Sequence, residues 1–298
     1  MIDRRAFAFG LGASALLSGP TAARAARVDP AARLRALERS AGGRLGAFVL
    51  DTGSGRHFGW RADERFCHCS TFKLSLAALA LREGDAGRLD PAAMLAFGQA
   101  DLVDHSPVVE AHLAAGRLPV LALAEAVQVT SDNAAANVLM RRLGGSAAVT
   151  RFWREIGDEI SRLDGYEPTI NEIPPGTTQN STTPRAMAET VRRIVLGDVL
   201  ATDSRERLRG WMAATRSGLG RIRAGIPAGW RGLDKTGTGM RPSIGNKTND
   251  LAVLLPPGGR APLIVTGYFE TPSFSADVRP QDEAALKALG RLAIEWRG

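Results

Sequence analysis

Strand-like patterning is confined to the two ends of this chain, and the long stretch between them is helical. Leu45 to Asp51 reads as a strand, and Gly53-Ser54-Gly55 turns it into a second, His57 to Trp60. The strand pattern returns at Gly232–Thr238, Asp250–Leu255 and Pro262–Phe269. Between these ends, helical spacing covers Thr71 to about Leu81, Val120–Val129, Asn133–Leu143, Ser146–Ile156, Pro184–Leu196 and Ser204–Ala214. Pro30–Ala41 and Asp282–Trp296 are the terminal helices. The expected fold is α/β of the α+β kind. The two ends join into one antiparallel five-stranded sheet flanked by terminal helices, with an inserted all-α subdomain. The α/β part spans about 27–61 and 215–298 and the all-α part about 62–214, all within a single domain over 27–298.

With 298 residues and 44% hydrophobic content, the chain can build a large core or two subdomains that share one. Charged residues make up 23%, which excludes general disorder. No apolar run is long enough to cross a bilayer as a helix of the mature chain. The net charge of +7 is carried almost wholly by arginine, for the only lysines are Lys73, Lys235, Lys247 and Lys287. The basic residues are scattered without interleaved aromatics, so the charge sets solubility and surface potential, and no nucleic-acid partner is expected.

The N-terminus reads as a cleaved export signal over residues 1–26. Arg4-Arg5 precede a mild apolar run through Leu17, and Ala23-Arg24-Ala25 is a small-x-small cleavage pattern. The paired arginines favour the twin-arginine route, with the general secretory route as the alternative. Removing Asp3, Arg4, Arg5 and Arg24 takes the net charge from +7 to +5. Both cysteines, Cys67 and Cys69, are expected to be small buried apolar side chains; residues two apart are poorly placed to bridge one another. His57, His68, His105 and His112 form no ligand-spaced cluster with them, so no metal is expected.

Four short motifs follow in order. Ser70-Thr71-Phe72-Lys73 sets an amine one helical turn beyond a hydroxyl, on the same face. A helix start favours negative charge developing at Ser70, although a capping serine and a solvated lysine also fit this pair alone. Ser131-Asp132-Asn133 lies between two helical stretches, where all three residue types serve as N-caps. Glu167-Pro168-Thr169-Ile170-Asn171 carries a carboxylate that, taken alone, is an exposed loop acid. Lys235-Thr236-Gly237-Thr238 begins late in a strand and by itself fits a hairpin with a glycine near its turn. Together, in this order, they resemble the class A serine β-lactamases of the penicillin-binding-protein-like serine acyltransferase superfamily.

That resemblance implies hydrolysis of the β-lactam amide of penicillins and cephalosporins, with an extended-spectrum or carbapenem-hydrolysing member left open. It makes Ser70 the nucleophile, with either Lys73 or Glu167 as the base for acylation. Ser131 passes a proton to the departing nitrogen, and Glu167, with Asn171, holds the water that frees the acyl-enzyme. Asn133 contacts the substrate acylamide, and Lys235 and Thr236 bind its carboxylate. Gly237 admits close approach to the strand edge. The N–H groups of Thr238 and Ser70 form an oxyanion hole. Arg221 is a second carboxylate contact, with a solvated surface arginine as the alternative. His105 holds a gatekeeper position at the seam between subdomains, where the site is expected. The resemblance implies no cofactor, a small-molecule partner, a monomer, and a periplasmic or secreted location.

Three departures stand out. An arginine–aspartate pair that closes the family's Ω-loop is replaced by Gly165 and Asn180, so the loop is expected to be held less tightly or by other contacts. Some carbapenem-hydrolysing relatives pair a cysteine at the position of Cys69 with one at the position of Gly239, so no such disulfide is expected here. The segment Met240 to Asn249 is long and is expected to extend a hairpin at the cleft mouth. Penicillin-binding D,D-peptidases and sensor domains share the other motifs but lack the Glu-Pro-x-x-Asn loop. A non-catalytic cell-wall-binding homologue is a further alternative. A generic serine esterase is disfavoured because no Gly-x-Ser-x-Gly elbow is present.

Overall fold

The computed structural model describes residues 29–298, and the expected export signal lies outside them. Helix α1 (Pro30–Ala41) leads into the strands β1 (Arg44–Asp51) and β2 (His57–Trp60), and the short β3 (Phe66–Cys67) precedes α2 (Phe72–Asp85). Next come β4 (Met94–Ala96), α3 (Pro107–Ala111), β5 (Arg117–Pro119), α4 (Val120–Val129), α5 (Asn133–Leu143) and α6 (Ser146–Glu155). A long loop then reaches β6 (Ser181–Thr182), α7 (Pro184–Leu196) and α8 (Thr202–Ala213). The chain closes with β7 (Arg231–Arg241), β8 (Gly245–Leu255), β9 (Leu263–Thr271) and α9 (Pro280–Arg297).

The two ends meet as expected. One antiparallel sheet runs β2-β1-β9-β8-β7, and β1 joins β9 in register from Arg44↔Glu270 to Asp51↔Leu263. Alternate residues of a strand face opposite sides, and both sides are apolar here. On β9, Leu263, Val265 and Phe269 pack with Leu34 of α1 and Leu286 and Leu289 of α9. Ile264 and Tyr268 face the other way, into a core shared with the helical middle. Central strands covered on both faces read as near-continuous apolar runs, which is why β9 was legible. Helix α1 carries its own signals: Asp29 accepts from Ala31 N at 3.0 Å, Pro30 opens the helix, and Gly42 ends it at φ 69°.

Helix α2 is the axis of the helical part, and every residue from Phe72 to Leu81 is buried. A helix buried all round belongs inside a core, and this one carries the Ser70–Lys73 motif at its entrance. Strand β8 starts at Gly245, earlier than the expected Asp250. Asn246, Lys247, Thr248 and Asn249 pair with β7 and are all at most 1% exposed. Their polar character hid the strand, because burial here is met by hydrogen bonds and not by apolar alternation. The extended hairpin expected from Met240 to Asn249 is thus continuous ladder, with Arg241 opposite Gly245. The paired strands β3–β6 and β4–β5, and α3, are too short to give a periodicity.

Candidate active site

Several independent contacts hold the segment before α2. Cys67 pairs with Ser181, His68 N donates to Asn180 O at 3.0 Å, and Asn249 Nδ2 donates to Cys67 O at 2.9 Å and His68 O at 3.1 Å. Cys69 is thereby fixed in the left-handed region at φ 44°, and Ser131, across the cleft, at φ 61°. Such backbone costs about 1–3 kcal/mol per residue in a non-glycine and gathers at functional sites. Gly237 of β7 lies against this turn: a Cβ there would come within 2.8 Å of His68 O and 3.1 Å of Ser70 N. The glycine lets the strand itself approach Ser70, a closer constraint than the substrate approach expected from sequence.

Lys73 Nζ, fully buried, lies 2.9 Å from Ser70 Oγ and 3.0 Å from Glu167 Oε1, and donates to Ser131 O at 2.8 Å and to Asn133 Oδ1. Ser70 Oγ donates to Glu167 Oε1 at 3.3 Å. Burial pushes the Lys73 amine below its ordinary pKa against the opposing pull of Glu167. Lys235 Nζ, also fully buried, donates to Ser131 Oγ at 3.0 Å. Burial, followed by the neighbouring charge of Lys73, lowers its pKa well below the usual lysine range. Two hydroxyls, two amines and a carboxylate therefore form one network, joined at Ser131, whose carbonyl meets Lys73 and whose hydroxyl meets Lys235.

The loop acid is not solvated. Glu167 is 4% exposed, and its Oε2 accepts from Asn171 Nδ2 at 2.7 Å. Its backbone is clamped by Asn137, whose Nδ2 donates to Glu167 O at 2.9 Å and whose Oδ1 accepts from Glu167 N at 3.0 Å. The neck of the loop is closed by other contacts than the missing ion pair. Asp164 N donates to Asn180 Oδ1 at 2.7 Å, Asn180 N donates to Asp164 Oδ2 at 2.8 Å, and Arg162 pairs with Asp164. Burial opposes ionisation of Asp164, yet these donors hold its pKa below the usual carboxylate range.

Ser70, His105, Asn133, Asn171 and Thr238 line a cleft of about 310 Å³ between β7 and the helical part. His105 is exposed at its mouth with φ 60°, and its Nε2 lies 2.8 Å from Thr130 O. Thr236 Oγ1 and Ser217 Oγ, 2.6 Å apart, form the far wall. Asp132 caps α5 through Ala135 N at 2.8 Å and accepts from Val108 N and Val109 N of α3. The capping reading of the second motif thus holds for Asp132, while Ser131 turns to the site.

The profile of the Beta-lactamase enzyme family matches residues 29–296. The chain is 41% identical to Beta-lactamase L2 of Stenotrophomonas maltophilia, over 93% of this chain and 89% of that one. It is 40% identical to the carbapenem-hydrolyzing β-lactamase KPC of Klebsiella oxytoca, over 88% and 87%. Among solved structures, an ancestral class A β-lactamase superposes with a TM-score of 0.84 at 46% identity, covering 90% of this chain and 99% of that one. A β-lactamase from Burkholderia vietnamiensis gives 0.84 at 45%, covering 92% and 98%.

The chain belongs to the β-lactamase enzyme family. It is a class A serine β-lactamase.

In this β-lactamase, Arg221 sits one layer behind the cleft. It is 2% exposed, and its Nη1 donates to Gly237 O and Asn249 O, each at 2.9 Å. Nη2 reaches Thr238 Oγ1 at 2.7 Å, and Nε pairs with Glu283 of α9 at 3.2 Å. The solvated-surface reading of Arg221 is excluded by that burial. Gly239 lies against Cys69, where a Cβ would stand 3.1 Å from the Sγ. Both cysteines are free and buried, with their sulfurs 3.9 Å apart. Sequence reasoning missed Asn137, Ser217 and Glu283. Asn137 alone left a trace, one helical turn beyond Asn133 and so on the same face of α5.

Proposed function

We propose that this β-lactamase opens the lactam amide of penicillins and cephalosporins through a Ser70 ester that a Glu167-activated water then hydrolyses. Ser70 loses its proton to the Lys73–Glu167 pair and attacks the lactam carbonyl carbon. Charge developing on the carbonyl oxygen is met by the N–H groups of Ser70 and Thr238, each such donor being typically worth about a hundredfold or more in rate. The C–N bond breaks as Ser131 protonates the nitrogen, and the proton taken from Ser70 passes back through the Lys73 and Lys235 amines to Ser131, which leaves Glu167 a carboxylate again. Glu167 then removes a proton from a water held with Asn171, the resulting hydroxide attacks the ester carbonyl carbon, and the ester C–O bond breaks as Ser70 leaves and takes that proton back. Asn133 holds the acylamide, Lys235, Thr236 and Gly237 with Ser217 receive the carboxylate, Arg221 supports that wall through Thr238, and His105 borders the entrance.

One observation carries this reading: the loop carboxylate stands 3.3 Å from the nucleophile instead of in solvent. A D,D-peptidase or sensor domain has no such acid to clear its ester. General-base help is worth roughly a hundred- to ten-thousandfold, the margin between turnover and a permanently acylated protein. Ser70→Ala is expected to abolish acylation. Glu167→Ala is expected to accumulate a covalent adduct visible by mass spectrometry with nitrocefin, and rapid multiple turnover by that variant refutes the assigned role. Turnover of nitrocefin, ceftazidime and imipenem by the purified chain ranks the substrates and tests carbapenem hydrolysis. The reading includes export through the signal at 1–26, a single domain over 27–298 acting as a monomer in the periplasm, and resistance as the consequence.

A further inference from the structure

In a chain that otherwise uses arginine, the four lysines are informative. Lys73 and Lys235 belong to the site, and Lys287 is exposed on α9. Lys247 belongs to no motif, yet it is 1% exposed. Burying an ammonium is costly, and an apolar residue of similar size is often the more stable choice. Lys247 stands on β8 directly opposite Gly239 of β7 and Glu270 of β9, so all three face the same side of the sheet. Gly239 has no side chain there, and Cys69 and Asn171 close over the position its Cβ would take. The Glu270 carboxylate is taken by Arg44 Nη1 at 2.7 Å and Cys67 N at 3.3 Å. Lys247 Nζ instead donates to Asn171 O at 3.0 Å.

Asn171 is the residue whose amide reaches Glu167 Oε2 at 2.7 Å. The next residue, Glu172, pairs with Arg241 Nε of β7 at 3.1 Å. The extended hairpin therefore grips the loop at two successive residues, the asparagine that orients the acid and the residue after it. We infer that Lys247 is a positioning residue for ester hydrolysis: from beneath the loop it fixes the Asn171 backbone, and through the Asn171 amide it aims Glu167. The inference rests on the reading of Glu167 as the deacylating base.

The test uses Lys247→Met and Lys247→Thr, two truncations of different bulk, so that one reports if the other fails to fold. Acylation and deacylation are measured separately by burst kinetics with nitrocefin and by mass spectrometry of the adduct, per burst-competent molecule. Deacylation is expected to slow by at least about tenfold, a part of what a general base supplies. With kcat then limited by deacylation, kcat and KM fall by the same factor while kcat/KM stays within about twofold. Deacylation within about twofold of the parent, or a kcat/KM that falls as far as kcat, overturns the inference. Glu167→Ala is run alongside: if it traps the adduct and the Lys247 variants do not, only the positioning role is lost. If Glu167→Ala itself turns over rapidly, the underlying reading falls and takes the inference with it.

Discussion

His68 shows what a single buried residue does to stability. Its ring is stacked 4.9 Å from Trp153 at 11°, and burial pushes its pKa down to about 4. The unfolded chain takes up a proton near pH 6.5 that the folded chain refuses, so stability present above pH 6.5 is lost as pH falls toward 4. This group alone removes about 2–3 kcal/mol between pH 7.5 and 4.5. His68→Phe is expected to flatten that part of the profile, measured by urea unfolding at both pH values; an unchanged slope rejects the assignment. Asp282, raised to about 6 mainly by burial, has the opposite sign but is common to both proteins and cancels in the comparison. The sequence marked His68 only as one of four histidines that form no ligand-spaced cluster. Its burial against α6 is a tertiary fact.

The loop from Arg162 to Asn180 depends on a few contacts at its neck. Asp164 and Asn180 exchange backbone-to-side-chain hydrogen bonds in both directions, at 2.7 and 2.8 Å, in place of an ion pair. The sequence exposed the missing charges at Gly165 and Asn180 but not the replacement, because a hydrogen bond between an asparagine side chain and a backbone sixteen residues away has no local signature. Asp164→Ala removes the acceptor and its pairing with Arg162. Amide exchange within the loop is expected to speed up by about tenfold or more, as the loss of a hydrogen bond to a charged group implies. In the parent the loop is expected to exchange no faster than the flanking α6 and α7. A loop already exchanging freely in the parent refutes the view that this neck holds it.

Across the whole molecule, one core spans the sheet and the helical middle. Leu76 and Leu79 of α2 belong to the same buried cluster as Phe48, Leu251 and Ile264 of the sheet. Side chains that share a core lose their support together. Leu76→Ala is expected to cost about 2–5 kcal/mol and to shift the far-UV circular dichroism and tryptophan fluorescence transitions by equal amounts. Two separated transitions in the parent contradict a shared core. The candidate site lies where this core opens between β7 and α5, so that Ser70, the Lys73 and Lys235 amines and Glu167 are each anchored from a different side.

The sequence determined the class of fold, because strands buried on both faces and helices with an apolar stripe leave local periodicities. It also pointed to the site, since Ser70, Lys73, Ser131, Glu167 and Lys235 lie in four short motifs whose order resembles the class A β-lactamases. It did not disclose β8 before Asp250, where Lys247 and Asn249 are buried for their hydrogen bonds. Nor did it disclose the clamp of Asn137 or the layer behind Thr238 in which Arg221 sits. Those depend on which distant backbone each polar side chain meets, and only the packed chain fixes that.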